Sequence, residues 1–245
     1  HRRRHSFPTR RSSDLVGSEM ITVKVASIPA RESHLEEIIY SQTPYVDKFE
    51  VYLNNYDNIP GFLKNKKIQV YTSQQYGDIG DCGKFFKIEQ AKGYVIFFDD
   101  DLCYPKNYVE ELIKKIDLYQ KSSLICVHGN ILPICKLNSY YKDKSGLHFA
   151  KELLQDTVVD VPGTGTLGLH TDFIKIPYGI FKTTNMTDLW LGLYALQNNI
   201  AIRCIARADK WLQEVSFTES IRHRFSKHDS AQTELANTII NLKSG

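Results

Sequence analysis

Runs of apolar residues, separated by polar stretches, set the order of the elements predicted along the chain. Residues 94–100, YVIFFDD, form a continuous apolar run that ends in acids. Such a run is typical of a strand buried on both faces of a parallel sheet. The predicted strands are 21–27, 48–54, 67–72, 94–100, 123–129, 157–161 and 200–206. Apolar residues at helical spacing predict helices at 31–42, 83–92, 105–120, 187–198 and 229–242.

Strands and helices alternate at the spacing of βαβ units. This alternation predicts an α/β fold with a mostly parallel central sheet and helices on both faces. The chain of 245 residues has no internal repeat and no low-complexity linker, so we expect one domain. Its composition, 42% hydrophobic and 24% charged, is that of a globular protein. No stretch approaches the ~20 apolar residues that a membrane-spanning helix needs.

The arginines at the start of the chain account for its formal charge of +3. From Met20 onward, 26 basic residues balance 26 acidic ones. A neutral body lacks the broad basic field of a nucleic-acid-binding protein, so we expect no nucleic-acid partner. Residues 5–15, HSFPTRRSSDL, resemble the translation of a sequencing adapter. We therefore expect residues 1–19 to be a non-native leader outside the fold, rather than a basic nucleic-acid arm or a targeting peptide.

The cysteines do not indicate a disulfide framework or a zinc site. There are five of them, and none forms a CxxC pair. An odd number without paired spacing fits a reducing compartment. We expect a cytoplasmic protein, with peripheral contact at the inner membrane left open.

Three adjacent acids, Asp99, Asp100 and Asp101, lie at the carboxyl end of the predicted strand 94–100. Burial and mutual repulsion oppose their ionisation unless a cation sits among them. Alternation along a strand would send Asp99 and Asp101 to one side, where their oxygens suit Mg²⁺ or Mn²⁺. In open α/β sheets ligands bind beyond the carboxyl ends of strands, which is where this triplet lies. The alternative is a solvated acid cluster that caps the helix after Pro105.

A segment with three glycines, Gly77 to Lys84, precedes the triplet by one predicted helix. Glycines let a backbone turn tightly and approach a ligand. The segment has neither the P-loop spacing nor GxGxxG. Lys84 could meet a diphosphate, and Asp78 or Asp81 could accept hydrogen bonds from a base or ribose. The alternative is an acidic surface loop.

Five segments, ASIPAR, GDIGDCGKF, FFDDDLCYP, PGTGTLG and MTDLW, occur in the order found in glycosyltransferase family 2. The chain resembles this family over roughly residues 20–230. The resemblance implies a GT-A (Rossmann-like) fold, with the acid triplet in the place of the DxD motif. It also implies a nucleotide-binding half at 20–130 and an acceptor and catalytic half at 131–245.

The resemblance also implies roles for single residues. The implied donor-binding residues are Pro29, Arg31, Asp78, Asp81, Lys84, Asp99, Asp100, Gly165 and Thr166. The implied ligands of Mn²⁺ or Mg²⁺ are Asp99, Asp101 and a late histidine, His223 before His228. Because Asp100 stands where the family has a small residue, the ligands within the triplet stay open.

Asp188 occupies the place of the general base in that family. Displacement at an anomeric carbon needs a carboxylate to take the proton of the acceptor hydroxyl. The alternative is that Thr187 or Asp188 caps the predicted helix at 187–198. Trp190, on the same helix, is either a sugar-stacking residue or a core aromatic.

Together these observations predict an inverting, metal-dependent glycosyltransferase. It would move a sugar from a nucleotide-diphosphate donor, a UDP-sugar above others, to a glycan or lipid-linked acceptor. The family suggests bacterial surface polysaccharide or lipopolysaccharide synthesis as the setting. A sugar-1-phosphate nucleotidylyltransferase and an inactive nucleotide-sugar-binding module are the rival interpretations. The sequence leaves the donor sugar and the acceptor open, because sugar discrimination rests on contacts worth ~1–3 kcal/mol each.

Overall fold

The computed structural model describes residues 19–215 and 228–245. Its strands are β1 Ile21–Ser27, β2 Lys48–Leu53, β3 Ile68–Thr72, β4 Tyr94–Phe98, β5 Leu102–Cys103, β6 Leu124–Cys126, β7 Gly129–Ile131, β8 Ser145–Leu147, β9 Thr157–Val159, β10 Val161–Pro162, β11 Leu167–His170, β12 Ile202–Cys204 and β13 Gln213–Glu214. Its α-helices in this part of the chain are α1 Glu32–Gln42, α2 Ser73–Tyr76, α3 Tyr108–Leu118, α4 Tyr140–Asp143, α5 Thr187–Gln197 and α6 Ser230–Ser244.

Eight strands form one central sheet in the order β3-β2-β1-β4-β11-β6-β12-β9. Strands β11 and β9 run against the other six, which are parallel to one another. The sheet takes strands from both predicted halves of the chain. This architecture confirms the α/β fold class and the mostly parallel, GT-A-like sheet.

Strand β4 shows that both faces of the sheet are covered. Ile96 and Phe98 pack in a core cluster with α1 and α3, whereas Val95 and Phe97 pack in a second cluster with α5. Successive side chains of a strand point to opposite faces, so helices lie on both sides of β4. All four side chains are fully buried, as the unbroken apolar run predicts.

Two predicted features differ in the structure. The helix predicted at 83–92 is wrong, because two short 3-10 turns, Gly80–Phe85 and Ile88–Gln90, occupy this region. Lys87, between them, has a left-handed backbone with φ of 54°, which a helix cannot continue. Strand β11 was not predicted, because Gly168 interrupts its apolar run where the side chains of Leu112 and Ile116 pack close to the backbone.

The predicted leader lies outside the described residues except for Glu19. Contrary to the prediction that residue 19 stands outside the fold, Glu19 Oε2 lies 2.6 Å from His170 Nε2 and 2.7 Å from Lys121 Nζ. Within the described ranges, every helix is too short or too polar to cross a membrane.

Candidate functional site

The acid triplet begins where β4 stops. The strand ends at Phe98, so Asp99 to Asp101 lie in a turn and the alternation of a strand does not apply to them. Instead, Arg31 contacts two neighbouring acids. Its Nη1 lies 2.7 Å from Asp100 Oδ1 and 3.0 Å from Asp101 Oδ2. Asp99 pairs with Lys84, so two basic residues hold the three acids.

Two members of the triplet resist ionisation. Burial raises the pKa of Asp100, although the charge of Arg31 opposes this shift. Burial and the neighbouring charge of Asp99 raise the pKa of Asp101 to about 7, against the effect of Arg31. Burial is the largest cause of both shifts, and the charge of Asp99 adds to it, so these two carboxyl groups hold their protons more tightly than exposed ones do.

The two basic residues come from the loops that follow β1 and β3. Arg31 ends the 3-10 turn Pro29–Arg31, and Pro29 itself is exposed at its start. Lys84 lies in the 3-10 turn Gly80–Phe85 and is only 3% exposed. Burial lowers the pKa of Lys84, but the charges of Asp99 and Asp81 outweigh it and raise the pKa above its ordinary value. Lys84 is therefore a permanent cation inside the site.

The glycine-threonine loop 163–166 closes one side of the triplet. A Cβ placed on Gly165 would lie 1.9 Å from Asp99 Oδ2, so only glycine lets the loop pass this carboxylate. Tyr104 joins the two segments: its hydroxyl accepts a hydrogen bond from Asp99 N at 2.7 Å and donates one to Gly165 O at 2.6 Å. The ring of Tyr104 stacks on Phe98, with centroids 3.8 Å apart.

Asp188 reaches the same loop from α5. Its Oδ1 accepts hydrogen bonds from Thr164 N at 2.9 Å and from Thr164 Oγ1 at 2.6 Å. Lys84 Nζ lies 3.3 Å from that hydroxyl, which links the base candidate to the triplet. The N-cap of α5 is Met186 and has no side-chain cap bond. The capping alternative for Asp188 is therefore wrong.

The environment of Asp188 favours a base. Burial raises its pKa above the ordinary value, and the hydrogen bonds from Thr164 and the charge of Lys84 limit the shift. A raised pKa makes a carboxylate a stronger base. Among the described residues, its hydrogen bonds all end on Oδ1, so Oδ2 can accept a proton.

Asp81 has protein partners that the sequence did not reveal. Its Oδ1 accepts a hydrogen bond from Asn185 N, and its Oδ2 accepts one from Thr187 Oγ1 at 2.6 Å. Both oxygens therefore hold the start of α5. The predicted contact of Asp81 with a donor stays a prediction, and the observed contacts give this residue a positioning role.

Asp78 and Thr166 likewise bond to the protein. Asp78 is exposed and accepts hydrogen bonds from Asn55 Nδ2 at 2.8 Å and from Gly80 N at 3.0 Å. Thr166 is buried, and its hydroxyl accepts from His128 N at 2.9 Å and donates to Gly163 O at 2.9 Å. These contacts shape the loops of the site, and the predicted donor-binding roles of both residues stay predictions.

The triplet suits a hard divalent cation. It offers carboxylate oxygens, which Mg²⁺ and Mn²⁺ prefer, and its three carboxyl groups, when ionised, outnumber their two basic partners. His223, the predicted third ligand, lies outside the described residues.

In the described ranges, three ligating groups within 4.8 Å of one another occur at Glu19, His170 and Asp172. His170 pairs with Tyr94, at the opposite end of β4 from the triplet.

Tyr104 and Thr187 are the site residues that sequence reasoning missed. In the sequence Tyr104 is only one residue of the segment FFDDDLCYP, and no pattern shows that its hydroxyl joins Asp99 to Gly165. The sequence offers Thr187 as a helix cap, whereas in the structure its hydroxyl donates to Asp81. Trp190 packs partly buried against the core cluster of α5 and α6, and its Nε1 donates to Thr183 Oγ1 at 2.9 Å. These contacts agree with the core interpretation of Trp190.

The fold of this chain was compared with those of known proteins. No family model and no protein of curated function matches it. The crystal structure of S. aureus TarS in complex with UDP-GlcNAc is similar, with a TM-score of 0.50 and 15% identity over 83% of this chain and 60% of that chain. Glucosyl-3-phosphoglycerate synthase from Mycobacterium tuberculosis, in complex with Mn²⁺, UDP-glucose and phosphoglyceric acid, has a TM-score of 0.37 and 17% identity over 44% of this chain and 43% of that chain. The chain thus spans 43% to 60% of the lengths of these two proteins, and its likeness to TarS is one of fold.

Proposed function

We propose that this chain is an inverting glycosyltransferase that uses a nucleoside-diphosphate sugar, a UDP-sugar in the first instance. One observation carries the proposal. A hydrogen-bonded path runs from the acid triplet through Lys84 and Thr164 to Asp188. It lies at the carboxyl end of β4, where ligands of α/β sheets bind. The acid triplet, which can bind a cation, and the carboxylate of Asp188, which can accept a proton, therefore belong to one site.

The triplet and its two cations form the donor end of the proposed site. Asp99 and Asp101 would hold Mn²⁺ or Mg²⁺, with His223 as a third ligand. When bound there, the cation would neutralise the diphosphate and stabilise the charge that develops on it. Lys84 keeps its proton and adds a fixed positive charge beside Asp99. Such preorganised charge stabilises a diphosphate leaving group as it departs.

Asp188 would act at the acceptor end. Its carboxylate takes the proton of the acceptor hydroxyl while the oxygen of that hydroxyl forms a bond to the anomeric carbon. The bond from the anomeric carbon to the diphosphate breaks, and the nucleoside diphosphate leaves with the electron pair. A single displacement of this kind inverts the anomeric configuration. The hydrogen bonds from Thr164 orient Asp188 for this step.

The acceptor and the setting rest on the resemblance to glycosyltransferase family 2. The proposed acceptor is a glycan or a lipid-linked molecule. The proposed setting is bacterial surface polysaccharide or lipopolysaccharide synthesis at the cytoplasmic side of the membrane. Contacts among the described residues support the proposed donor-binding role of the triplet and the proposed role of Asp188 as the base. They do not indicate which acceptor binds.

Sugar release from a panel of nucleotide-sugars tests the proposal. The chain is incubated with each donor and Mn²⁺, and nucleoside diphosphate and the anomeric configuration of the product are measured. A parallel reaction supplies sugar 1-phosphate, nucleoside triphosphate and Mn²⁺ instead, and pyrophosphate is measured. We expect nucleoside diphosphate from wild type and an inverted product. Asp188→Asn should lose this activity, and Asp209→Asn, at an exposed turn position, should keep it. Pyrophosphate release in the parallel reaction would indicate the nucleotidylyltransferase instead, and binding without turnover in either reaction would indicate the binding module.

A further inference from the structure

Arg31 contacts a residue that the proposed metal site also needs. Its guanidinium lies 3.0 Å from Asp101 Oδ2 and 2.7 Å from Asp100 Oδ1. Asp101 is one of the two triplet residues proposed to ligate the cation. Arg31 is largely buried, with 13% of its side chain exposed, as are Asp100 at 8% and Asp101 at 21%. The contact is therefore shielded from water, where ion pairs are stronger than at the surface.

The charge of Arg31 is permanent. Burial lowers the pKa of Arg31, but the charges of Asp100 and Asp101 outweigh it, so the pKa rises. An arginine does not lose its proton in a protein. Arg31 can therefore make room for a second cation at Asp101 only by shifting toward Asp100 or toward another anion. A dication entering alone would meet this positive charge at its own ligand.

An anionic donor changes that balance. A nucleoside diphosphate brings negative charge to the triplet and offers oxygens that an arginine binds well. When cation and diphosphate arrive together, the diphosphate can replace Asp101 as the second anionic partner of Arg31 and can offset the positive charge that the cation adds. When the cation arrives alone, the charge of Arg31 stays beside it at Asp100, and no added anion offsets the repulsion between the two cations.

We propose that Arg31 is the resident counter-cation of the acid triplet and that it makes divalent-cation binding depend on the donor diphosphate. This inference rests on the proposed function, because it takes the triplet as the metal site. It predicts strong coupling between the cation and the nucleotide, and coupling of this kind is reciprocal. Removing the charge of Arg31 should strengthen binding of the cation alone and weaken the coupling.

The test measures free Mn²⁺ by its electron paramagnetic resonance signal during titration of the full chain. Titrations are made with and without saturating UDP. For wild type we expect UDP to tighten Mn²⁺ binding by about tenfold or more, a typical size for coupling between two ligands. For Arg31→Gln we expect Mn²⁺ alone to bind several-fold tighter than to wild type, and UDP to tighten it by less. Lys114→Gln is the matched control, because it removes one positive charge from a surface pair with Glu110 and Glu111.

The possible results separate the two proposals. If neither protein binds Mn²⁺ with or without UDP, the metal site of the proposed function fails. If wild type binds Mn²⁺ equally well with and without UDP, the inference is overturned while the metal site stands. If Arg31→Gln binds Mn²⁺ more weakly than wild type, Arg31 merely supports the fold of the triplet, and the inference is again overturned. Should Arg31→Gln fail to fold, Arg31→Met keeps the apolar stem and removes the same charge.

Discussion

The two oxygens of the Asp188 carboxylate have different surroundings. Oδ1 accepts both hydrogen bonds from Thr164, and the side chain is fixed in one orientation by them. Burial raises the pKa of this carboxyl group. A fixed carboxylate with a raised pKa is the form that general-base catalysis needs. The role proposed for Asp188 thus depends on a hydrogen-bond partner, Thr164, that is far away in sequence.

Replacement of Asp188 by asparagine should separate chemistry from binding. Asparagine keeps the shape of the side chain but cannot take a proton, so kcat should fall by about 10²–10⁴, the usual contribution of a general base. Binding of UDP with Mn²⁺ should stay within about twofold, because Asp188 does not contact the triplet. Steady-state kinetics and calorimetry measure the two quantities. A variant with wild-type kcat would remove Asp188 from the mechanism.

Thr164 should set the pH at which the base works. Its hydrogen bonds lower the pKa of Asp188 and so oppose the effect of burial. Thr164→Val removes the hydroxyl donor and should raise that pKa further. Because the base acts when deprotonated, the acid limb of the kcat profile should move to higher pH. The measurement is kcat against pH for both proteins, and an unmoved or lower limb would contradict this assignment.

At the scale of elements, the site forms where three segments meet: the end of β4, the loop 163–166 before β11, and the start of α5. The apolar pattern predicts β4 and α5 well, because their burial is encoded in their own residues. It does not predict the Gly80–Phe85 turn, which is held by distant contacts such as that of Asn54 Nδ2 with Gly80 O at 2.9 Å. The hydrogen bonds of Tyr104 and Asp81 also join segments that no local pattern connects. Sequence therefore identified most members of the site but not the contacts that hold them.

Gly165→Ala tests how closely the loop approaches the triplet. The added Cβ would overlap Asp99 Oδ2 at 1.9 Å, so Asp99 or the loop must move. We expect Mn²⁺-dependent UDP binding to weaken by about tenfold or more, since ~1.4 kcal/mol corresponds to that factor. Gly179→Ala is the control, because nothing lies within 4 Å of its Cβ. Equal binding by both variants, measured by calorimetry, would show that the approach is unimportant.

Asp81→Ala tests the positioning of α5. The change leaves Asn185 N and Thr187 Oγ1 without their acceptor. Loss of one partner from a buried hydrogen bond costs about 1–3 kcal/mol, so the free energy of unfolding should fall by about that amount. Urea denaturation of the two proteins measures it. Unchanged stability would mean that the start of α5 is held by other contacts.

At the scale of the whole molecule, one buried ion pair joins β1 and β2, two neighbouring strands of the central sheet. Lys24 of β1 is 1% exposed and pairs with Glu50 of β2, and Lys48 Nζ also lies 2.8 Å from Glu50. Burial raises the pKa of Glu50, but the charges of Lys24 and Lys48 outweigh it and lower the pKa below the ordinary 4.5. When one partner of a buried ion pair loses its charge, the other charge is left unpaired and the folded protein is strongly destabilised.

Acid should remove the contribution of Glu50 to folding. Because its pKa is lower in the folded state, the stability from its ionised form is present above pH 4.5 and is lost as the pH falls through the lowered value. Glu50→Gln should therefore be less stable than wild type at pH 7, and the difference should shrink in acid. Unfolding free energies at several pH values measure this. A difference that is constant with pH would contradict the assignment.

The fold of the whole molecule was largely predictable, because alternating elements and a continuous apolar strand leave few arrangements. The antiparallel strand β11 was not, since four residues with Gly168 in their middle carry little pattern. Its place between β4 and β6 nevertheless brings the loop 163–166 to the triplet. The strand that places the loop 163–166 beside the triplet, β11, is thus the strand of the central sheet that the sequence indicates least.

The most direct test of the account is whether UDP binding requires a divalent cation at the triplet. Thermal unfolding of wild type and of Asp101→Asn is followed with UDP, with Mn²⁺, with both and with neither. The account predicts that UDP raises the melting temperature of wild type only when Mn²⁺ is present, and that Asp101→Asn loses this increase. A folded wild-type protein that shows no response to UDP with Mn²⁺, or an equal response from Asp101→Asn, would contradict it.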